Sequence, residues 1–172
     1  GDIDIILTSN SNNKGIYFKF RDKLEKQGII KAFLSRGDTK SMVIAKLSDK
    51  DIARRLDILY TPPEEYAFAI LYFTGSKDFN TAMRQHALTQ KLTLNEHGFH
   101  KMENKKKGEK ITDSKLNNEK DIFNYLNMEY KEPNERIDNT SIIIKKPESK
   151  AKSKAESKGE SKAEAKAEPK SK

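Results

Sequence analysis

Apolar and polar residues alternate at the start of the chain, as Asp2-Ile3-Asp4-Ile5, before the aliphatic pair Ile6-Leu7. A period of two predicts a strand over residues 2–7, with both carboxylates on one face and Ile3 and Ile5 on the other. The period then changes. Ile16, Phe20 and Leu24 recur every four residues, which predicts a helix over 14–27 that stops at Gly28. Residues 29–35 and 41–47 are short β-type runs separated by the turn signal Arg36-Gly37-Asp38. Residues 53–60 read as a further strand. Thr61-Pro62-Pro63-Glu64 predicts a helix start, with Thr61 as N-cap, Pro at the first helical position and Glu at the third. That helix is expected to run to about Phe73 and to end at Gly75. Ser76 is expected to cap the next helix, over 77–90. Thr93-Leu94 marks the start of a small strand. Residues 121–128 read as a last short helix with Ile122, Tyr125 and Leu126 turned inward. Lys101 and Lys105-Lys106-Lys107 fall in what reads as a polar, solvated loop. Strands first and helices later predict an α+β fold.

Composition divides the chain. Residues 148–172 are almost wholly Lys, Glu, Ala and Ser, with no apolar residue larger than Ala. Such a segment buries too little surface to offset the entropy of ordering it, so it is expected to be a disordered tail. Its eight Lys and five Glu leave it at +3, and the folded part, residues 1–147, carries the remaining +5 of the net +8. That balance suits a polyanionic partner without demanding one. The absence of cysteine excludes disulfides and thiolate zinc sites and fits an intracellular setting. The longest apolar run, residues 67–73, is far short of the roughly 20 residues that span a bilayer, so no membrane partner is expected. No signal-peptide pattern opens the chain, which enters a strand directly from Gly1 and reads as a fragment. His86, His97 and His100 do not make a zinc set, and His86 reads as a helix-packing residue.

The candidate chemistry is acidic. Asp57 sits mid-strand in Arg54-Arg55-Leu56-Asp57-Ile58-Leu59, as Asp2 and Asp4 do in theirs. A carboxylate in a buried strand is costly unless it is neutralised. Three carboxylates gathered by neighbouring strands would repel one another, and Mg²⁺, which prefers oxygen ligands, would relieve this. An isolated Asp-x-Asp is more often a solvated strand edge, and an isolated Arg-Arg-x-Asp a surface ion pair, so spacing alone leaves both readings open.

Several blocks, in order along the chain, resemble the family X DNA polymerases of the beta type. Residues 1–8 resemble the first metal-binding strand, residues 34–42 the palm hairpin, and residues 54–58 the strand of the third aspartate. Leu71-Tyr72-Phe73-Thr74-Gly75-Ser76 is similar to the sugar-contacting turn. Phe79-Asn80, Met83-Arg84 and His86-Ala87-Leu88 resemble the helix after it. Leu94-Asn95-Glu96, residues 119–123 and Tyr130-Lys131-Glu132-Pro133 resemble the end of the thumb. The resemblance implies a nucleotidyltransferase palm at 1–60 with a mixed or antiparallel sheet, and an α-rich thumb at 61–147. It implies a template-directed, gap-filling DNA polymerase that transfers a nucleotide from a dNTP to a primer 3′-hydroxyl using two Mg²⁺ ions, with Mn²⁺ as the alternative.

The same resemblance assigns roles. Asp2, Asp4 and Asp57 would hold the metals, and Asp57 would orient the 3′-hydroxyl. Arg55 would steady Asp57 and the primer phosphate; a plain charge partner for Asp57 is the other reading, and the two are compatible. Gly1, Tyr72, Phe73, Thr74, Gly75 and Asn80 would contact the nucleotide, the turn excluding a 2′-hydroxyl. Tyr72 and Phe73 also read as core residues ending a helix. Arg36, Thr39, Lys40, Arg55, Arg84 and Glu96 would contact DNA, with Arg84 at the templating base and Glu96 tethering its helix. Asn80 and Arg84 lie four apart and so share a helix face, and both can donate to minor-groove acceptors that all base pairs present. The expected partners are primer–template or gapped DNA and dNTPs, for an intracellular monomer in the nucleus, or in the host cell or virion if the source is viral. Thr81 stands where the family often carries Lys, and His97 where it carries Tyr. The family's triphosphate-cradling Gly-Ser segment, helix-hairpin-helix domains and lyase lysine have no counterpart in this sequence. Two other readings are a non-catalytic gapped-DNA-binding module and a template-independent nucleotidyltransferase.

Overall fold

The structure, a computed structural model, describes residues 2–104 and 106–146. Gly1 and the 148–172 segment, expected as a nucleotide contact and a disordered tail, lie outside the described residues, as does Lys105. The alternating start of the chain forms β1 (Ile3–Leu7), followed by α1 (Gly15–Lys26), β2 (Ile30–Arg36), β3 (Lys40–Ala45) and β4 (Arg54–Tyr60). These strands make one mixed sheet in the order β1-β4-β3-β2. β1 runs parallel to β4, and the other pairings are antiparallel. Gly28 ends α1 with a φ of +68°, the left-handed conformation glycine adopts without steric cost.

One face of this sheet is covered by α1. Val43, Ile58 and Tyr17 are fully buried there, with Leu56 and Tyr60 beside them. Burying a side chain such as Ile58 contributes about 1.5–3 kcal/mol. The buried stripe of α1 is wider than its four-residue repeat implies. Ile16, Phe20 and Leu24 are partly buried, whereas Tyr17 and Arg21 are the most enclosed. The reason is polar. The Tyr17 hydroxyl donates to the Gly37 carbonyl at 2.9 Å and, its one proton so committed, accepts from Ser41 Oγ at 2.6 Å. It thereby ties the helix to the β2–β3 turn.

The second half contains α2 (Tyr66–Thr74), α3 (Lys77–Thr89), β5 (Leu92–Asn95), β6 (Gly98–Glu103), β7 (Lys106–Lys110) and α4 (Glu119–Tyr125). Its core is a separate cluster that includes Phe68, Leu71, Phe79, Met83, Phe99, Ile122, Phe123 and Leu126. The expected single helix from Thr61 is instead a 3₁₀ turn at Pro63–Glu65 followed by α2. Thr61 is not the cap. Its N–H donates to the Leu7 carbonyl at 2.8 Å, so it still extends the sheet. A residue before proline avoids the helical region, which holds Thr61 and Pro62 extended; Pro62 has φ −56° and ψ 150°. Ser76 caps α3 as expected, its Oγ accepting from the Phe79 N–H at 3.2 Å.

Two further expectations are corrected. The lysine-rich stretch read as a loop is the β6–β7 hairpin, which completes an antiparallel sheet β5-β6-β7. β7 has no apolar alternation of its own and exists by pairing with β6, where Phe99 is buried. The last helix starts earlier than residue 121, through a capping box between Asn118 and Asp121. Its inward residues are Ile122 and Phe123, followed by Leu126; Tyr125 is half-exposed and stacks on Phe99. Among the described residues, no helix is long and apolar enough to cross a membrane.

Candidate active site

Register decides where the carboxylates go. β1 and β4 pair with Asp4 opposite Asp57. Partners in register project to the same face of a sheet, and residues two apart along a strand share that face. Asp2, Asp4, Asp57 and Arg55 therefore occupy one face, opposite the α1-covered core. Asp2 and Asp4 are exposed, whereas Asp57 is only 4 % exposed.

Two cations balance Asp57. Arg55 Nε donates to Asp57 Oδ1 at 3.1 Å, and the other end of the same guanidinium is paired with Asp2. Lys40 Nζ lies 3.3 Å from Asp57 Oδ2. The antiparallel register explains this second contact: Met42 is opposite Asp57, so Lys40, two residues away, points to the same face. Lys40, expected at a primer phosphate, thus sits on the central aspartate. Arg55 takes up the charge-partner role foreseen for it. The expectation that the three carboxylates stand close enough to share one ion is not met: among the described residues, no three Asp, Glu, His or Cys side chains are so grouped. The Arg55 guanidinium stands between Asp2 and Asp57 and supplies the neutralisation that a buried carboxylate requires. The donor set itself, all carboxylate oxygen, is of the kind Mg²⁺ takes.

A second cluster forms at the end of α2. The Tyr72 carbonyl, near the helix terminus, has no intrahelical partner and accepts from Asn80 Nδ2 at 2.7 Å. The Arg84 guanidinium lies over the Tyr72 ring, 5.0 Å from its centroid. Arg84 Nη2 also faces Glu96 Oε2 at 3.8 Å. The shared helix face of Asn80 and Arg84 is thereby turned onto Tyr72. Tyr72 is not a core residue: it is 37 % exposed and meets Phe73 edge-on at 5.0 Å. Thr74 is exposed and Gly75 buried, with a φ of +72° that favours glycine. A small apolar recess adjoins this cluster, lined by Phe68, Leu71, Met83 and Leu94.

Arg36 and Thr39, expected near primer phosphates, flank the β2–β3 turn next to Lys40, where the Thr39 carbonyl accepts from the Tyr60 N–H at 2.7 Å. Arg36 pairs with Glu25 at 3.0 Å and Asp22 at 3.6 Å and covers the Phe33 ring. His86 packs as expected, Nε2 lying 2.9 Å from the Leu126 carbonyl.

Glu65 joins the second half of the chain to the start of α2. This residue receives His97 Nδ1 at 2.8 Å and the Lys110 ammonium, and its side chain is largely covered. Burial pushes its carboxyl up, but hydrogen bonds from Lys110 and His97 outweigh that and hold it below the usual range. His100, on β6, is buried with Nδ1 unpartnered. Burial, helped by Lys107 and Lys110, holds its imidazole below 6.5. No local signal marks either residue, because their partners lie 32 and 45 positions away from Glu65, and the burial of His100 comes from sheet pairing.

Comparison with known proteins follows the same division of the chain. Residues 1–63 match the family described as DNA polymerase beta palm, and residues 69–137 the family described as DNA polymerase beta thumb. DNA polymerase lambda of Rattus norvegicus is 33 % identical over 148 residues, covering 79 % of this chain and 26 % of that protein. DNA nucleotidylexotransferase of Xenopus laevis is 41 % identical over 85 residues, covering 49 % of this chain and 16 % of that protein. DNA polymerase lambda of Arabidopsis thaliana is 26 % identical over 152 residues, covering 79 % of this chain and 29 % of that protein. The chain spans less than a third of the length of each of these relatives.

Proposed function

Since the chain belongs to the family X DNA polymerases, its palm and thumb both matched, we propose that the full-length protein is a template-directed DNA nucleotidyltransferase that fills short gaps, adding deoxynucleotides to a primer 3′-hydroxyl. The observation that carries this reading is the parallel register of Asp4 with Asp57, which puts Asp2, Asp4 and Asp57 on one sheet face.

On this reading Asp2, Asp4 and Asp57 are the residues that would hold two Mg²⁺ ions, with Mn²⁺ as the alternative. When bound, the ions would acidify the attacking hydroxyl and stabilise the leaving pyrophosphate. Asp57 accepts a hydrogen bond from the 3′-hydroxyl and orients it. Arg55 and Lys40, which balance Asp57 here, are the side chains that would be available to primer phosphates on this face. Tyr72, its carbonyl anchored by Asn80, would be the side chain that excludes a 2′-hydroxyl. Asn80 and Arg84 donate to minor-groove acceptors and so test pair geometry without reading sequence. Gly1, Phe73, Thr74 and Gly75 complete the nucleotide contacts, and Arg36 and Thr39 the phosphate contacts.

A second reading is template-independent addition, favoured by the 41 % identity to DNA nucleotidylexotransferase. Primer extension by the full-length protein separates the two. Incorporation that follows the template base in a gapped duplex is the expected result. Equal tailing of a single strand would replace it with the second reading, and binding of gapped DNA without extension would leave only a binding module.

A further inference from the structure

The turn that presents Glu96 is pinned from two sides. Asn95 pairs with Gly98, so Glu96 and His97 are the two-residue loop of the β5–β6 hairpin. Glu96 points to α3 and meets Arg84 at 3.8 Å. His97 reaches Glu65 through Nδ1 at 2.8 Å, while its Nε2 lies 4.0 Å from Glu96 Oε1, so the imidazole bridges Glu65 and the turn's own carboxylate. Glu65 also takes the Lys110 ammonium from β7. Lys110 reaches it across Gly98, where an added Cβ would meet Lys110 Cε at 3.3 Å. Glu65 closes the 3₁₀ turn that leads from the palm sheet into α2, and the Glu65 side chain is only 16 % exposed. Exposed ion pairs contribute little, but a covered carboxylate with two donors is less screened.

We propose that Glu65 is a positioning residue for Arg84: through His97 and Lys110 it fixes the hairpin turn that offers Glu96 to Arg84, and so sets where Arg84 stands when it tests a nascent base pair. This rests on the polymerase reading above. Arg84 is held by a long contact to Glu96 and by the Tyr72 ring. A shift of the turn by a fraction of an ångström therefore changes which of the two holds it. Without Glu65 the turn keeps its strand pairing and loses its anchor to the palm side.

The test uses the full-length protein with Glu65→Ala and the milder Glu65→Gln, each in wild-type and Arg84→Ala backgrounds. Discrimination between correct and incorrect dNTP on a gapped template is measured with hydrogen exchange of amides 95–98. Glu65→Ala is expected to lower discrimination about five- to tenfold in the wild type, and to have no further effect once Arg84 is gone. Glu65→Gln should fall between, and exchange of the turn should quicken. An equal loss of discrimination in the Arg84→Ala background would make Glu65 merely structural and overturn the inference. Unchanged exchange or unchanged discrimination would overturn it as well, with the polymerase reading intact. A wild type that extends no primer would sink the polymerase reading and this inference with it.

Discussion

The acidic face of the first sheet and the Tyr72–Arg84 cluster of the second half are built by different means. Asp4 and Asp57 are neighbours because two backbones are hydrogen-bonded in one register. Separating them requires a slip of one residue, which would turn the whole strand inside out and expose Leu56 and Ile58. Arg84, by contrast, meets Tyr72 and Glu96 through the ends of long, half-exposed side chains. Changing one rotamer parts them. Chemistry that transfers a phosphoryl group needs atoms fixed to within a fraction of an ångström. A device that accepts or rejects a base pair needs two positions. On the proposed reading, the first task would rest on backbone register and the second on side-chain contacts.

The sharpest way to break this comparison is at Asp57. In the full-length protein, Asp57→Asn should lower the rate of primer extension by about a thousandfold or more, because it removes a charge and leaves the register intact. Gapped-DNA affinity, read by a binding titration, should barely change. A large loss of binding would mean that Asp57 serves the fold instead.

Arg84→Ala should act on the other side of the contrast. Discrimination against a mispaired nucleotide is expected to fall about tenfold, in keeping with the 1–3 kcal/mol that a good base contact contributes. Overall DNA binding should hold. Single-turnover incorporation of matched and mismatched dNTPs measures this directly.

A smaller effect is expected at Tyr72. Tyr72→Ala removes the ring that carries Arg84 but keeps the carbonyl bound by Asn80. Ribonucleotide incorporation relative to deoxyribonucleotide should rise about threefold, and Arg84 should lose a cation–π contact worth about 0.5–1 kcal/mol. Unchanged sugar choice would assign Tyr72 to Arg84 alone.

Acidity offers the mildest probe, aimed at the hairpin that holds Glu96. The His100 imidazole is held below its ordinary 6.5, so the unfolded chain takes up the proton first. The resulting stability is complete above pH 6.5 and is lost as pH falls toward the lower folded value. Glu65, held below its ordinary 4.5, adds a further loss at more acidic pH, as pH falls through its depressed value. The melting temperature should therefore decline from pH 7 to pH 5.5, and His100→Leu should flatten that decline. An identical slope in the variant would place the sensitive group elsewhere.

Much of this could be read from local pattern. The alternation at Asp2–Ile5 fixes which side chains share a face, Ser76 caps α3, Gly28 ends α1, and the four-residue spacing of Asn80 and Arg84 puts them together. Each of these follows from steric and hydrogen-bonding rules that act within a few residues. The failures were also local in origin. Thr61 looked like a cap because its sequence context is right, yet its N–H is spent on Leu7, 54 positions earlier by subtraction of 7 from 61. The strand β7 was missed because its stability lies in its neighbour.

By itself, then, the chain determined the strand faces, the Ser76 cap and the families of elements, since short-range periodicity and backbone sterics suffice for them. Only the tertiary structure decided that β1 pairs parallel to β4 with Asp4 opposite Asp57, that Lys40 joins the buried carboxylate, and that Glu65 grips the turn beside Glu96. Those contacts join residues far apart in sequence, and they form because burying two apolar cores selects one register and one packing from many that local rules allow.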